Sequence, residues 1–120
     1  MIIRIDNTLI NTKYIYRLEV EKTGTRLYLN VYFINKSKPA TFIISPVRFF
    51  QKSLEQKHPE KNIVRDYSSL AYIFGLDNHC TQEERARFWN EAHAQMNMLI
   101  AFIEEHTSKQ KHHPYFTVHP

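Results

Sequence analysis

Cys80 follows His79 and stands directly before "TQEERARFWNEAHAQMNMLIAFIEEH" (81–106), a stretch patterned as one long helix. A helix N-terminus lowers the pKa of a neighbouring thiol, and an adjacent imidazole can take its proton. Nucleophilic chemistry could begin here. The third member of a catalytic set is missing, however. His93 lies more than three turns further along the same helix, and no Asp or Asn is placed by the sequence to orient a base. A small thiol- or metal-dependent enzyme centred on Cys80 and His79 is therefore an alternative, and a structural thiol is the simpler expectation.

The chain has 7 histidines, and His106, His112, His113 and His119 fall near its C-terminal end. No pair has the i, i+4 spacing with which a helix grips zinc, and a lone cysteine makes no CxxC. No dedicated metal site is expected. There are only 2 glycines, Gly24 and Gly75, and both fall where a turn or a helix cap uses one. None is left for a phosphate loop or a dinucleotide fingerprint, so no nucleotide cofactor is expected. Glu83, Glu84, Arg87 and Glu91 have spacings that suit surface ion pairs on a helix. Asp66 and Asp77 stand alone in loops, so no acid/base pair of carboxylates is in view.

Binding is better supported than catalysis. Arg17, Arg26, Tyr28, Asn30 and Tyr32 fall on one face of a strand pair, with Lys13 at its edge. Aromatic and basic residues interleaved on a sheet can stack and neutralise single-stranded nucleic acid. Glu19 and Glu21 share that face and oppose this, and tyrosines on strands also serve plain cross-strand packing. The net charge is +4. Residues 1–62 hold a surplus of +6 (11 Lys/Arg, 5 Asp/Glu), and residues 63–120 a deficit of −2 (5 and 7). A basic half points to nucleic acid, to an acidic protein surface, or to neutralisation within the fold.

The elements that must position these residues begin with a hairpin. "KYIYRLEVEK" (13–22) and "RLYLNVYFI" (26–34) both alternate. Tyr14, Tyr16, Leu18 and Val20 should line one inner face, with Leu27, Leu29, Val31 and Phe33 lining the other. A turn at Thr23–Gly24 gives paired positions that sum to 47, with Val20 opposite Leu27 and Gly24 at positive φ. "IIRI" (2–5) reads as a short strand turned by Asp6–Asn7, and "ATFII" (40–44) as a further strand with Pro39 at its edge. Ser45 is the N-cap and Pro46 the first residue of a helix with Val47, Phe50 and Leu54 inward, stopped at His58–Pro59. "SSLAYIF" (68–74) is a short helix closed by Gly75.

Thr81 and Glu84 form a capping box for the long helix. Trp89, Ala92, Met96, Leu99 and Ile103 recur at spacings of 3 and 4, a heptad seam, and Phe88, Ile100 and Phe102 widen the apolar surface. That is more surface than one short sheet and two short helices should cover, so the seam is expected to pair with a second copy in a homodimer.

The fold class is α+β: an N-terminal antiparallel meander of three or four strands, then helices, ending in one long C-terminal helix. One domain should span 1–111, with a tail at 112–120. No run of about 18 apolar residues is present to cross a membrane. The N-terminus has no secretory pattern and the single cysteine excludes an intrachain disulfide, so a cytoplasmic protein is expected. The leading functional expectation is a small non-enzymatic interaction or regulatory protein, binding a macromolecular partner through its sheet face and helix edges. Nucleic-acid binding by the basic half is the first alternative.

Overall fold

The computed structural model describes residues 1–60, 66–76, 79–107, 115–116 and 118. The fold is α+β, with strands first and three helices after them. β1 (Ile2–Ile5) and β2 (Thr8–Asn11) form a tight antiparallel hairpin turned at Asp6–Asn7. Asp6 takes φ 53°, a left-handed conformation that Asp tolerates better than most residues. After a 3-10 turn at Thr12–Tyr14 come β3 (Ile15–Thr23), β4 (Arg26–Phe33) and β5 (Ala40–Ile44), an antiparallel sheet in that order. α1 (Pro46–Lys57), α2 (Tyr67–Phe74) and α3 (Gln82–Glu105) follow.

The β3–β4 register differs from expectation by two. Val20 pairs with Leu29 and Thr23 with Arg26, so paired positions sum to 49 and the turn is Gly24–Thr25. Gly24 has φ 58° and is the first central residue, where a type II′ turn requires positive φ. A two-residue shift keeps every side chain on its own face. The bulge between Ile15 and Arg17 does not. It turns Tyr16, expected inside, out to 60% exposure, and it sends Ile15 inward opposite Phe33. Val20 is also exposed, because β3 is an edge strand and the core is centred on β4.

The helix ends are set by local chemistry. Ser45 accepts from Val47 N–H, Asp66 from Ser69 N–H and Thr81 from Glu84 N–H, and Thr81 with Glu84 completes the expected capping box. Gly75 closes α2 as expected, with φ −78°, an ordinary right-handed value. A Cβ there would meet nothing closer than 3.6 Å.

The stripe of α3 is filled by its own chain. Ala92, Met96, Leu99 and Ile103 are at most 2% exposed, packed with Leu27, Leu29, Val31, Phe42 and Ile44 from the sheet and with Ile3, Ile5 and Ile10 from the hairpin. Trp89 is half-buried, with Lys22 Nζ 4.1 Å from its ring centroid. The seam read as a homodimer contact is thus core, and the area argument for a second copy lapses. The other apolar face of α3 starts at Phe88, which meets Phe50 and Phe74 at ring distances of 6.1 and 6.4 Å in a second cluster. Two faces of one helix are covered by two different layers.

β6 (Tyr115–Phe116) lies within the stretch expected as a tail. It joins β1 in parallel, Asp6 N–H bonds Phe116 O at 2.9 Å, and Val118 is buried. Val118 N–H donates to Asp6 Oδ1 at 3.0 Å, so the turn that reverses β1 also anchors this segment.

Leu99→Ala should lower unfolding free energy by roughly 2–5 kcal/mol, the usual range for a core leucine. Urea denaturation at two protein concentrations checks this. A loss below 1 kcal/mol, or one that scales with concentration, would return the stripe to an intermolecular role.

Candidate functional site

The residues proposed from sequence as a binding face do not form one basic patch. Arg17 donates to Glu19 at 2.6 Å and lies 4.4 Å from the Tyr32 ring centroid, and Tyr32 O–H donates to Glu19 at 3.3 Å. Asn30 is 9% exposed and accepts from Thr41 Oγ1 at 2.8 Å, so it serves the sheet. Glu21 faces Tyr28 across the ladder. Lys13 sits in the 3-10 turn before β3, and Arg26 opens β4 at the far end of the hairpin. An eight-residue strand separates the two ends by about 23 Å at 3.3 Å per step. On the outer face Arg17 is matched by Glu19, and Glu21 adds a second carboxylate. The potential there is mixed, not basic.

Arg26 belongs to a different constellation. β5 runs into α1 with only Ser45 between them, and this junction draws the start of β4 and the starts of α1 and α2 together. Ser45 Oγ donates to Thr25 O at 2.7 Å and accepts from Val47 N–H at 3.1 Å and from the Tyr67 hydroxyl. Arg26 lies 4.7 Å from the centroid of the Tyr67 ring. The Tyr28 and Tyr67 hydroxyls beside it push its pKa further up, Tyr28 most, so its charge is permanent. Arg26, Ile43, Ser45, Arg48, Tyr67 and Gln95 line a cleft of about 340 Å³.

Among the described residues, two guanidiniums and no carboxylate line this cleft, and neither arginine has an ion pair. The first turn of α1 opens beside it, adding the positive end of a helix dipole. Gln95 contributes a side-chain oxygen that is buried with no hydrogen-bond donor among the described residues. Two further cavities differ in their charges. One, about 250 Å³, is bounded by Ile2, Leu9, Tyr14 and Phe33 with Lys36 at its rim. The other, about 440 Å³, sets Lys52 and Arg87 against Glu91. Sequence reading named Arg26 but not Arg48, Tyr67 or Gln95, which come from three other elements.

Cys80 is 2% exposed and packs with Val47, Phe50, Leu70, Phe74 and Phe88. Burial pushes its thiol up, and the Glu84 carboxylate adds to this. His79 is exposed. A nucleophilic thiol needs access and a lowered pKa, and this one has neither. His58, His79 and His93 lie on separate elements, and His106 Nδ1 lies 2.8 Å from Phe102 O at the end of α3. His112, His113, His119 and Asp77 fall outside the described residues. Among the described residues no three His, Cys, Asp or Glu side chains converge on a point that could hold a metal ion, and no helix is long and apolar enough to cross a membrane.

No family model, curated protein or solved structure matches this chain. The chemistry of its side chains is the guide to function.

Two outcomes follow from these groups. Cys80 should react with a thiol reagent at least a hundredfold faster in 6 M urea than in the native protein, and equal rates would mean the thiol is accessible. Glu21 has its carboxyl raised above the ordinary glutamate value, chiefly by sharing a hydrogen bond with Glu19. A raised folded-state pKa stabilises below the unfolded value, and that contribution is lost as pH rises through the folded value. Glu21→Gln should therefore be more resistant to urea than wild type at pH 7 and equal to it near pH 4. An advantage that is the same at both pH values would rule out carboxylate repulsion as its source.

Proposed function

We propose that this protein is a non-enzymatic binding module that takes an anionic group of a macromolecular partner into the cleft between Arg26, Arg48 and Tyr67. The observation that carries this reading is the one-sided charge of the cleft: two arginines, a helix start, and no acid among the described lining residues. Charge-assisted hydrogen bonds from guanidinium to an oxyanion are among the stronger polar contacts, and arginine presents them in a planar fork. Arg26 is held by stacking on Tyr67, and Tyr67 is held by its bond to Ser45. Less side-chain entropy is then lost when a ligand arrives.

The chemistry favours capture over turnover. The described lining residues include no carboxylate or histidine to move a proton and no accessible thiol to attack. A tract of nucleic acid along the whole hairpin face is disfavoured for a separate reason. Glu19 and Glu21 interrupt that face, and phosphate contacts supply most of such affinity.

Inorganic phosphate titrated into the 15N-labelled protein should give saturable shifts at the Arg26 and Arg48 side chains and at the Val47 amide. Arg26→Gln and Arg48→Gln should each weaken binding about tenfold, while chloride at equal ionic strength should leave these resonances unmoved. Shifts spread evenly over all arginines, or none at 20 mM phosphate, would overturn the reading.

A further inference from the structure

The cleft does not end at its arginines. Ile43, one of its walls, is 45% exposed and pairs with Tyr28, and Tyr28 pairs with Glu21. These three residues form one cross-strand row on the outer sheet face. Neighbouring strands lie about 4.8 Å apart, so Glu21 stands roughly 10 Å across the row from Ile43. Glu19 is the next residue along β3 on that face and is bonded to Arg17 and Tyr32. A ligand that fills the cleft and continues over the outer face thus passes from two arginines, over an aromatic ring, to a pair of carboxylates.

That order of charges discriminates between polymers. A nucleic acid strand carries a phosphate at every step, and its next phosphates would be brought against Glu21 and Glu19. A phosphorylated protein segment carries one dianion, which matches the two guanidiniums, and its flanks are free to be neutral or basic. An extended peptide advances about 3.3 Å per residue, so 10 Å is spanned in three.

Resting on the reading above, we propose that the anionic group is the phosphate of a phosphorylated protein segment lying across Tyr28, with a basic residue about three positions away meeting Glu21 and Glu19. The cleft fixes the phosphate and the carboxylates select its context. The same carboxylates turn nucleic acid away, which is specificity by repulsion.

Fluorescence anisotropy on the full chain tests this with four probes. They are a phosphoserine peptide with lysine three residues to either side, the same peptide without phosphate, the phosphopeptide with glutamate in place of lysine, and a 5′-phosphorylated single-stranded oligonucleotide. The first should bind at least tenfold more tightly than each of the others. In the double variant Glu19→Gln, Glu21→Gln the preference for lysine over glutamate should fall below threefold, with phosphate dependence intact. Arg48→Gln, an exposed position that spares the core, should remove phosphate dependence.

Tightest binding of the oligonucleotide, weakened by Arg26→Gln and Arg48→Gln, would overturn this inference and leave the anion cleft standing. Equal affinity for lysine and glutamate flanks would do the same. No phosphate-dependent binding of any probe, with inorganic phosphate equally silent, would overturn both.

Discussion

The burial of one stripe on α3 constrains everything else in this fold. Ala92, Met96, Leu99 and Ile103 must leave water, and the inner face of the β3–β4–β5 sheet supplies the cover. Leu27, Leu29 and Val31 on the central strand are fully buried by that contact. Burying side chains of this size contributes about 1.5–3 kcal/mol each, so this contact is a large share of the fold's stabilisation. Once α3 is set, Phe88 at its start fixes the rest. α1 and α2 must close over it, which they do through the Phe50–Phe74–Phe88 cluster. The opposite face of the sheet is left to solvent.

The cleft is a by-product of that arrangement at one point. β5 becomes α1 across a single residue, so the strand end and the helix start cannot separate. Ser45 fills three hydrogen-bonding roles there, to Thr25, Val47 and Tyr67. It thereby joins the hairpin turn, the first helix and the second. The basic surplus of residues 1–62 is meanwhile spread over unrelated places. Arg17 is neutralised within the sheet, Lys22 lies over Trp89, and Lys57 meets Glu84 at 3.4 Å between α1 and α3. Arg26 and Arg48 are the ones brought to a common cavity.

Which parts of this were legible in the sequence follows from how local their causes are. The capping box at Thr81–Glu84, the Ser45–Pro46 start and the alternation of β4 are written in adjacent residues, and each formed where it was read. The hairpin register was off by two because Gly24 can supply positive φ at either central position of a turn. The bulge at 15–17 had no signal, since Tyr14 and Tyr16 look alike to an alternation pattern. The stripe of α3 was legible as apolar, but its partner was not. Heptad spacing does not say whether a sheet or a second helix will fill it. The cleft was least legible of all: two strands, two helix starts and the middle of α3 meet there only through tertiary packing.

The parallel pairing of β6 with β1 has a consequence for how the chain is made. Arg4 meets Tyr115 and Ile5 meets Phe116, so the two partners are separated by almost the whole sequence. During synthesis β1 and β2 can close their hairpin early, since its loop is two residues. The far edge of β1 then remains without its strand while more than a hundred further residues emerge. Closing so long a loop costs only about 0.6 kcal/mol more for each doubling of its length, so the delay is one of order, not of stability. Unpaired strand edges in incomplete chains invite pairing with other chains. Until Phe116 and Val118 arrive, that edge of β1 is open to pairing with other chains.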